Sequence, residues 1–130
     1  MRKIILLALA MTALPAWANS VTYIDAKAFA DRDEASVPKE RAQALLHTQG
    51  EAIGRAMSVC AQAVSSEDIP PFVVVVKLDA SGKVGETWRK GDSPLAVCFE
   101  KAMSTQTLFT PPHAPFYTSF EMDLHHETGV

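Results

Sequence analysis

The residues able to do chemistry in this chain are four histidines, two cysteines and a scatter of serines and carboxylates. His47, His113, His125 and His126 show no HxxxH or similar metal-ligand spacing. His125 and His126 with Asp123 form the one grouping with metal-binding character, at the very end of the chain, and no metal site is expected there. None of Ser58, Ser65, Ser66, Ser81, Ser93, Ser104 and Ser119 stands in a G-x-S-x-G elbow. Ser93 precedes Pro94 and reads as a helix cap. The acidic groups Asp31-Arg32-Asp33-Glu34 and Glu67-Asp68 read as solvated loops, and there is no glycine-rich phosphate loop. The expectation is a chain with no catalytic residue, no metal and no cofactor. One stretch has recognition character. Trp88, Arg89 and Lys90 are adjacent, and Trp and Arg are enriched where binding energy concentrates. The plainer reading is that Trp88 packs into the core between ordinary surface charges.

Cys60 and Cys98 lack the C-x-x-C spacing of a redox pair, and zinc would need four ligands. Their chemistry therefore depends on compartment. The chain begins with Arg2 and Lys3, then an apolar run over residues 4–14 broken only by Thr12, then Pro15 and the small-x-small Ala16-Trp17-Ala18. That is the pattern of a cleavable export signal covering residues 1–18. The run is shorter than the roughly 17–25 residues that cross a bilayer, so no stable membrane insertion is expected after cleavage. A periplasmic or secreted protein meets an oxidising environment, and two cysteines with no competitor predict one disulfide, Cys60–Cys98.

The 130 residues, 48% hydrophobic and 21% charged, suit one globular domain. Twelve basic against fifteen acidic residues give a net charge of -3, a poor match for nucleic acid, which needs a basic face to neutralise phosphates.

Several elements must position these groups. Residues 19–36 have little periodicity and read as a partly ordered arm with room for a short helix near Ala26 to Ala30. From Ser36-Val37-Pro38, a hydroxyl cap followed by proline, apolar residues recur at three- and four-residue spacing as far as Val64. This predicts a helix of about 25 residues. Gly50 and Gly54 inside it suggest close packing or a bend. Four consecutive valines at 73–76 predict a central strand, because branching at Cβ suits a pleated sheet. A turn at Asp79 to Lys83 leads to a more polar return strand over 84–90. Ser93-Pro94 starts a second helix that buries Leu95, Cys98 and Phe99. The last strand alternates, with Phe116, Thr118, Phe120, Met122 and Leu124 toward a core and Tyr117, Ser119, Glu121, Asp123 and His125 toward solvent.

The expected fold is α+β in the order helix-strand-strand-helix-strand, with two helices on one face of a three-stranded sheet and one disulfide. The valine strand lies between the other two, antiparallel to both. The predicted core holds Val74, Val76, Leu78, Trp88, Leu95, Phe99, Phe120 and Met122. The domain is expected over residues 37–126, with a frayed tail at 127–130.

The stretch FVVVVKLDASGKVGETW, with DSPLAVCFEKAM and LFTPPHAPFYTSFEMDL after it, resembles the C-terminal domain of TonB and its TolA-type relatives. The matching positions are Leu78, Asp79, Gly82, Lys83 and Val84, then Ser93, Leu95, Phe109, Pro111 and Pro112, then Phe116 and Phe120. The resemblance covers roughly half of the chain expected after signal cleavage, and its motifs are turn and core positions, so they speak to fold more than to activity. The chain departs from TonB proper in having neither an uncleaved anchor nor a long proline-rich spacer. The resemblance implies a non-enzymatic adaptor that binds a protein or peptide of the cell envelope by strand addition at a sheet edge. The expected edge is the last strand, with Tyr117, Ser119, Glu121 and Asp123 facing the partner, and Trp88 and Arg89 mark the opposite edge. The alternative is a small secreted inhibitor or immunity protein that blocks a toxin or hydrolase. That would need an exposed segment able to plug a site, and residues 105–115 are the sole candidate.

Overall fold

Side chains branched at Cβ are stiff and pack well on a pleated surface. Val73, Val74, Val75 and Val76 accordingly lie in the middle strand of the sheet. The computed structural model describes residues 20–63 and 69–124. In chain order these form α1 (Tyr23–Ala35), α2 (Lys39–Val59), a single 3-10 turn (Ala61–Ala63), β1 (Phe72–Leu78), β2 (Val84–Lys90), α3 (Pro94–Met103) and β3 (Phe116–Met122). The expected export signal at 1–18, the tail at 127–130, and His125 and His126 lie outside the described residues.

The sheet order is β2-β1-β3, with β1 antiparallel to both neighbours, as the sequence predicts. One sheet face carries Val74, Val76 and Leu78 from β1 with Phe116 and Phe120 from β3. Against it pack Leu45, Ala52 and Ala56 of α2 and Leu95, Phe99 and Met103 of α3. Phe99 is fully buried and meets the rings of Phe72 and Phe120 edge-on at 5.5 and 6.1 Å. Burying a side chain of this kind stabilises by about 2–3 kcal/mol. The expected fold class, α+β with one disulfide, is present. Cys60 ends α2 and bonds to Cys98 in α3, with Cα atoms 5.8 Å apart. The closed loop contains the whole β1–β2 hairpin, so the cross-link should stabilise by roughly 4 kcal/mol.

The turn chemistry also follows the sequence. Asp79 Oδ1 accepts the backbone N–H groups of Ser81 (2.9 Å) and Lys83 (3.0 Å). Gly82 has φ +86°, and a Cβ there would stand 2.3 Å from the carbonyl oxygen of Phe109. Only glycine lets this turn dock so closely on the segment before β3. Ser93 Oγ accepts the N–H of Ala96 and caps α3.

Three expectations need correction. The stretch read as a partly ordered arm is a 13-residue helix, α1, started by a capping box in which Thr22 and Asp25 satisfy each other's backbone N–H groups. It packs on the second face of the sheet through Ala26 and Ala30, against Val75, Tyr117 and Trp88. The molecule is therefore three layers, with the sheet between α1 and the α2–α3 pair. Second, Ser36 does not cap α2. Its hydroxyl donates back to the carbonyl of Asp33 and it closes α1, while α2 starts after Pro38 with no side-chain cap and ends at Val59. Gly50 and Gly54 are exposed with nothing within 4 Å of an added Cβ, so close packing does not explain them. Third, Trp88 and Met122 are half-buried, and Trp88 belongs to the α1 side, because its register partner Val75 points that way.

Candidate functional site

A three-stranded sheet has two edges, and an edge presents a row of unpaired N–H and C=O groups. At the β3 edge the amides of Tyr117 and Ser119 are held by α1. Asp33, 2% exposed at the end of α1, accepts the N–H of Tyr117 at 2.9 Å. Glu34 Oε1 accepts the N–H of Ser119 at 2.7 Å and the hydroxyl of Thr118 at 2.9 Å. Two carboxylates thus stand where the carbonyls of an added strand would be. The solvent-facing role expected for this strand fails at its centre. Tyr117 is 6% exposed and packs against Phe29 and Trp88, with ring centroids 5.1 and 5.7 Å away. Ser119 is half-buried. Glu121 and Asp123 are exposed as expected, and Glu121 pairs with Lys27 of α1 at 3.0 Å. The Lys27 ammonium is held above its ordinary range, first by its hydrogen bond to Asp31 and also by Glu121, against a lowering from burial.

The β2 edge differs, and its exposed groups follow from the pairing. In an antiparallel strand, alternate residues turn both backbone groups to the same side. Tyr117 and Ser119 face outward from β3, so Thr118 and Phe120 face β1 and pair with Val76 and Val74. Val75 and Lys77 of β1 then face β2, where they pair with Trp88 and Glu86. Thr87 and Arg89 are left with their backbone groups pointing away from the sheet. No hydrogen bond reaches those groups from that side among the described residues.

The side chains along this edge are fixed in two sets. On the α3 side, Glu100 accepts the Thr87 hydroxyl (3.3 Å) and Arg89 Nε (3.2 Å). Arg89 also pairs with Asp92 at 3.0 Å and donates to the carbonyl of Gly91. These hydrogen bonds, Asp92 first and then Glu100, hold the guanidinium above its ordinary value. On the α1 side stand Glu86, Trp88 and Lys90. Trp88 Nε1 donates to the carbonyl of Val21 at 2.8 Å, and Glu86 lies 3.4 Å from Lys77. Lys90 is exposed, with no partner among the described residues. Trp88 and Arg89 are thus half-buried and hydrogen-bonded parts of this edge.

One polar cluster has the composition of a catalytic triad. His113 Nε2 lies 3.5 Å from Ser36 Oγ and 3.8 Å from Asp33 Oδ1. Both contacts fall on the same ring nitrogen, and Nδ1 faces the carbonyl of Pro115 at 3.2 Å. A relay needs serine and carboxylate on opposite nitrogens, so this arrangement cannot activate Ser36. A groove of about 520 Å³ between α2 and α3 is lined by Ala56, Val59, Cys98 and Ala102, with Arg55 and Lys101. Its amide, Gln106, is already bonded to Arg55 and to the carbonyl of Ala52. No set of three metal-ligating side chains occurs among the described residues.

No known family, curated protein or solved structure matches this chain. Sequence reasoning missed Asp33 and Glu34, which it placed with the solvated acidic groups. The available signal was local: Thr22-x-x-Asp25 is a helix start, and Ala26, Ala30 and Asp33 then fall on one helix face.

Proposed function

We propose that this chain is an exported, non-enzymatic protein-binding domain that takes an extended segment of a cell-envelope partner onto the outer edge of β2. The observation that carries this reading is the asymmetry of the two edges. Asp33 and Glu34 satisfy two outward amides of β3, those of Tyr117 and Ser119, whereas those of Thr87 and Arg89 have no partner among the described residues. Strand addition needs only such an unpaired edge, with side-chain contacts to set its preference. The resemblance of residues 72–124 to TonB-type domains, which accept a peptide strand at a sheet edge, supports the same mode. The Cys60–Cys98 bond suits an oxidising compartment, and the pattern of residues 1–18 suits export. The inhibitor reading needs the segment at 105–115, which is anchored at its middle while residues 112–115 are exposed. Leu108 and Phe109 are buried, and Thr107 bridges to Lys83.

Thr87→Pro tests the reading. Proline removes an N–H that faces away from β1, so the hairpin keeps its ladder. Tagged wild-type chain should retain a specific partner from an envelope extract, and a folded Thr87→Pro variant should lose it. Equal retention by both would show that the β2 backbone is not the binding element.

A further inference from the structure

We infer that the β2 edge also pairs with a second copy of this chain, β2 against β2 about a two-fold axis through Trp88. The inference rests on the same open edge and names one partner for it. Charge and register select the arrangement. Hydrogen-bonded pairs across a new antiparallel interface must form between the outward residues, here Thr87, Arg89 and, at the start of the strand, Gly85. That leaves few symmetric registers. Centring on Arg89 sets two guanidinium side chains opposite each other, and centring on Glu86 opposes two carboxylates; like charges directly opposite are destabilising. Centring on Thr87 pairs no charges. Centring on Trp88 sets Thr87 against Arg89 of the copy and Glu86 against Lys90 of the copy, twice over, with the two Trp88 residues facing each other across the axis.

The groups needed for this are present and accessible. Lys90 is exposed without a partner among the described residues, and Glu86 is exposed with a single long contact to Lys77. Opposite-charge cross-strand pairs are favourable, and a repeated pair selects one register over its neighbours. Val97 lies one turn before Glu100, the residue that binds the Thr87 and Arg89 side chains, and so falls on the same face of α3. At 47% exposure it is an uncovered apolar residue beside this edge, where the second copy would approach. The covered β3 edge leaves no competing site for backbone pairing at Tyr117 and Ser119.

The experiment is sedimentation velocity of the full chain over rising concentration, up to about 1 mM because the interface is small. Wild type should sediment at twice the chain mass at the upper end, and folded Thr87→Pro should remain single. Lys90→Glu and Glu86→Lys should each weaken association about ten-fold or more, since each turns two attractions into two repulsions. An equimolar mixture of those two variants should regain association, because the lysine introduced in one chain then faces the glutamate introduced in the other. A wild type that stays single to about 1 mM overturns the self-pairing. So does a dimer indifferent to Thr87→Pro, or one whose charge variants show neither loss nor rescue on mixing. If wild type stays single while partner capture still depends on Thr87, only self-pairing falls. If capture is also indifferent to Thr87→Pro, the strand-addition reading falls with it.

Discussion

Removing the Asp33 carboxylate should cost the fold more than any other polar substitution at the sheet edges. Asp33→Ala deletes the sole acceptor for the Tyr117 N–H among the described residues, at a position where strand, ring and helix exclude water. A buried donor left without a partner costs about 1–3 kcal/mol, and a hydrogen bond to a charged acceptor lies in the upper part of that range. The Arg32 contact adds little, because that side chain is 64% exposed. The expected loss is therefore about 2–3 kcal/mol. Asp33→Asn keeps an oxygen in place and should lose about half as much. Urea unfolding of the oxidised chain measures both, with stability read from the midpoint at unchanged slope. Amide exchange gives a second readout: the Tyr117 N–H should exchange faster in Asp33→Ala, while the Phe120 N–H, directed at β1, should keep its protection until global unfolding. An Asp33→Ala chain within about 0.5 kcal/mol of wild type, with Tyr117 still protected, would refute the reasoning that α1 holds this edge through its carboxylates.

Phe120→Ala should destabilise by roughly 3–5 kcal/mol in the same assay, because Phe120 is buried against Phe99; a loss below about 1 kcal/mol contradicts the observed register. Gly54→Ala should raise stability by up to about 1 kcal/mol, since the site is helical, exposed and open to a methyl group; a loss would mean the glycine is needed. The Asp79 carboxyl is held below its ordinary value, first by the Ser81 hydroxyl and then by the Lys83 and Ser81 amides. Its folded value is depressed, so its contribution is present above the unfolded value near about 3.9 and is lost as pH falls through the folded one. Ser81→Ala should move the Asp79 titration, followed by NMR, back upward; an unmoved midpoint contradicts the assignment.

Local pattern made the hairpin, α3 and β3 legible. Four valines, the Asp79-to-Lys83 turn, the Ser93-Pro94 cap and the alternation from Phe116 each carry their structure within a few residues. The sheet order followed from connection rules and agrees with the observed pairing. The first helix was legible only as a short segment near Ala26 to Ala30, because the residues it buries are Ala26, Ala30 and Asp33, too small or too polar to mark an apolar stripe. Its burial is supplied from the other end of the chain by Tyr117, 84 residues from Asp33. The same gap misled the reading of β3. Tyr117, Ser119, Glu121 and Asp123 look like a solvated face when nothing is known to lie over them. A helix that presents two carboxylates to the outward amides reverses that reading for Tyr117 and Ser119 and leaves it intact for Glu121 and Asp123. The preferred edge for partners moves accordingly from β3 to β2.

The most direct test of that claim is amide hydrogen exchange on the chain alone and on the chain bound to the protein it captures from an envelope extract. Strand addition at β2 predicts new protection at the amides of Thr87 and Arg89, with Tyr117 and Ser119 unchanged because Asp33 and Glu34 already hold them. Protection that appears at Tyr117 and Ser119, with Thr87 and Arg89 exchanging as in the free chain, would contradict it.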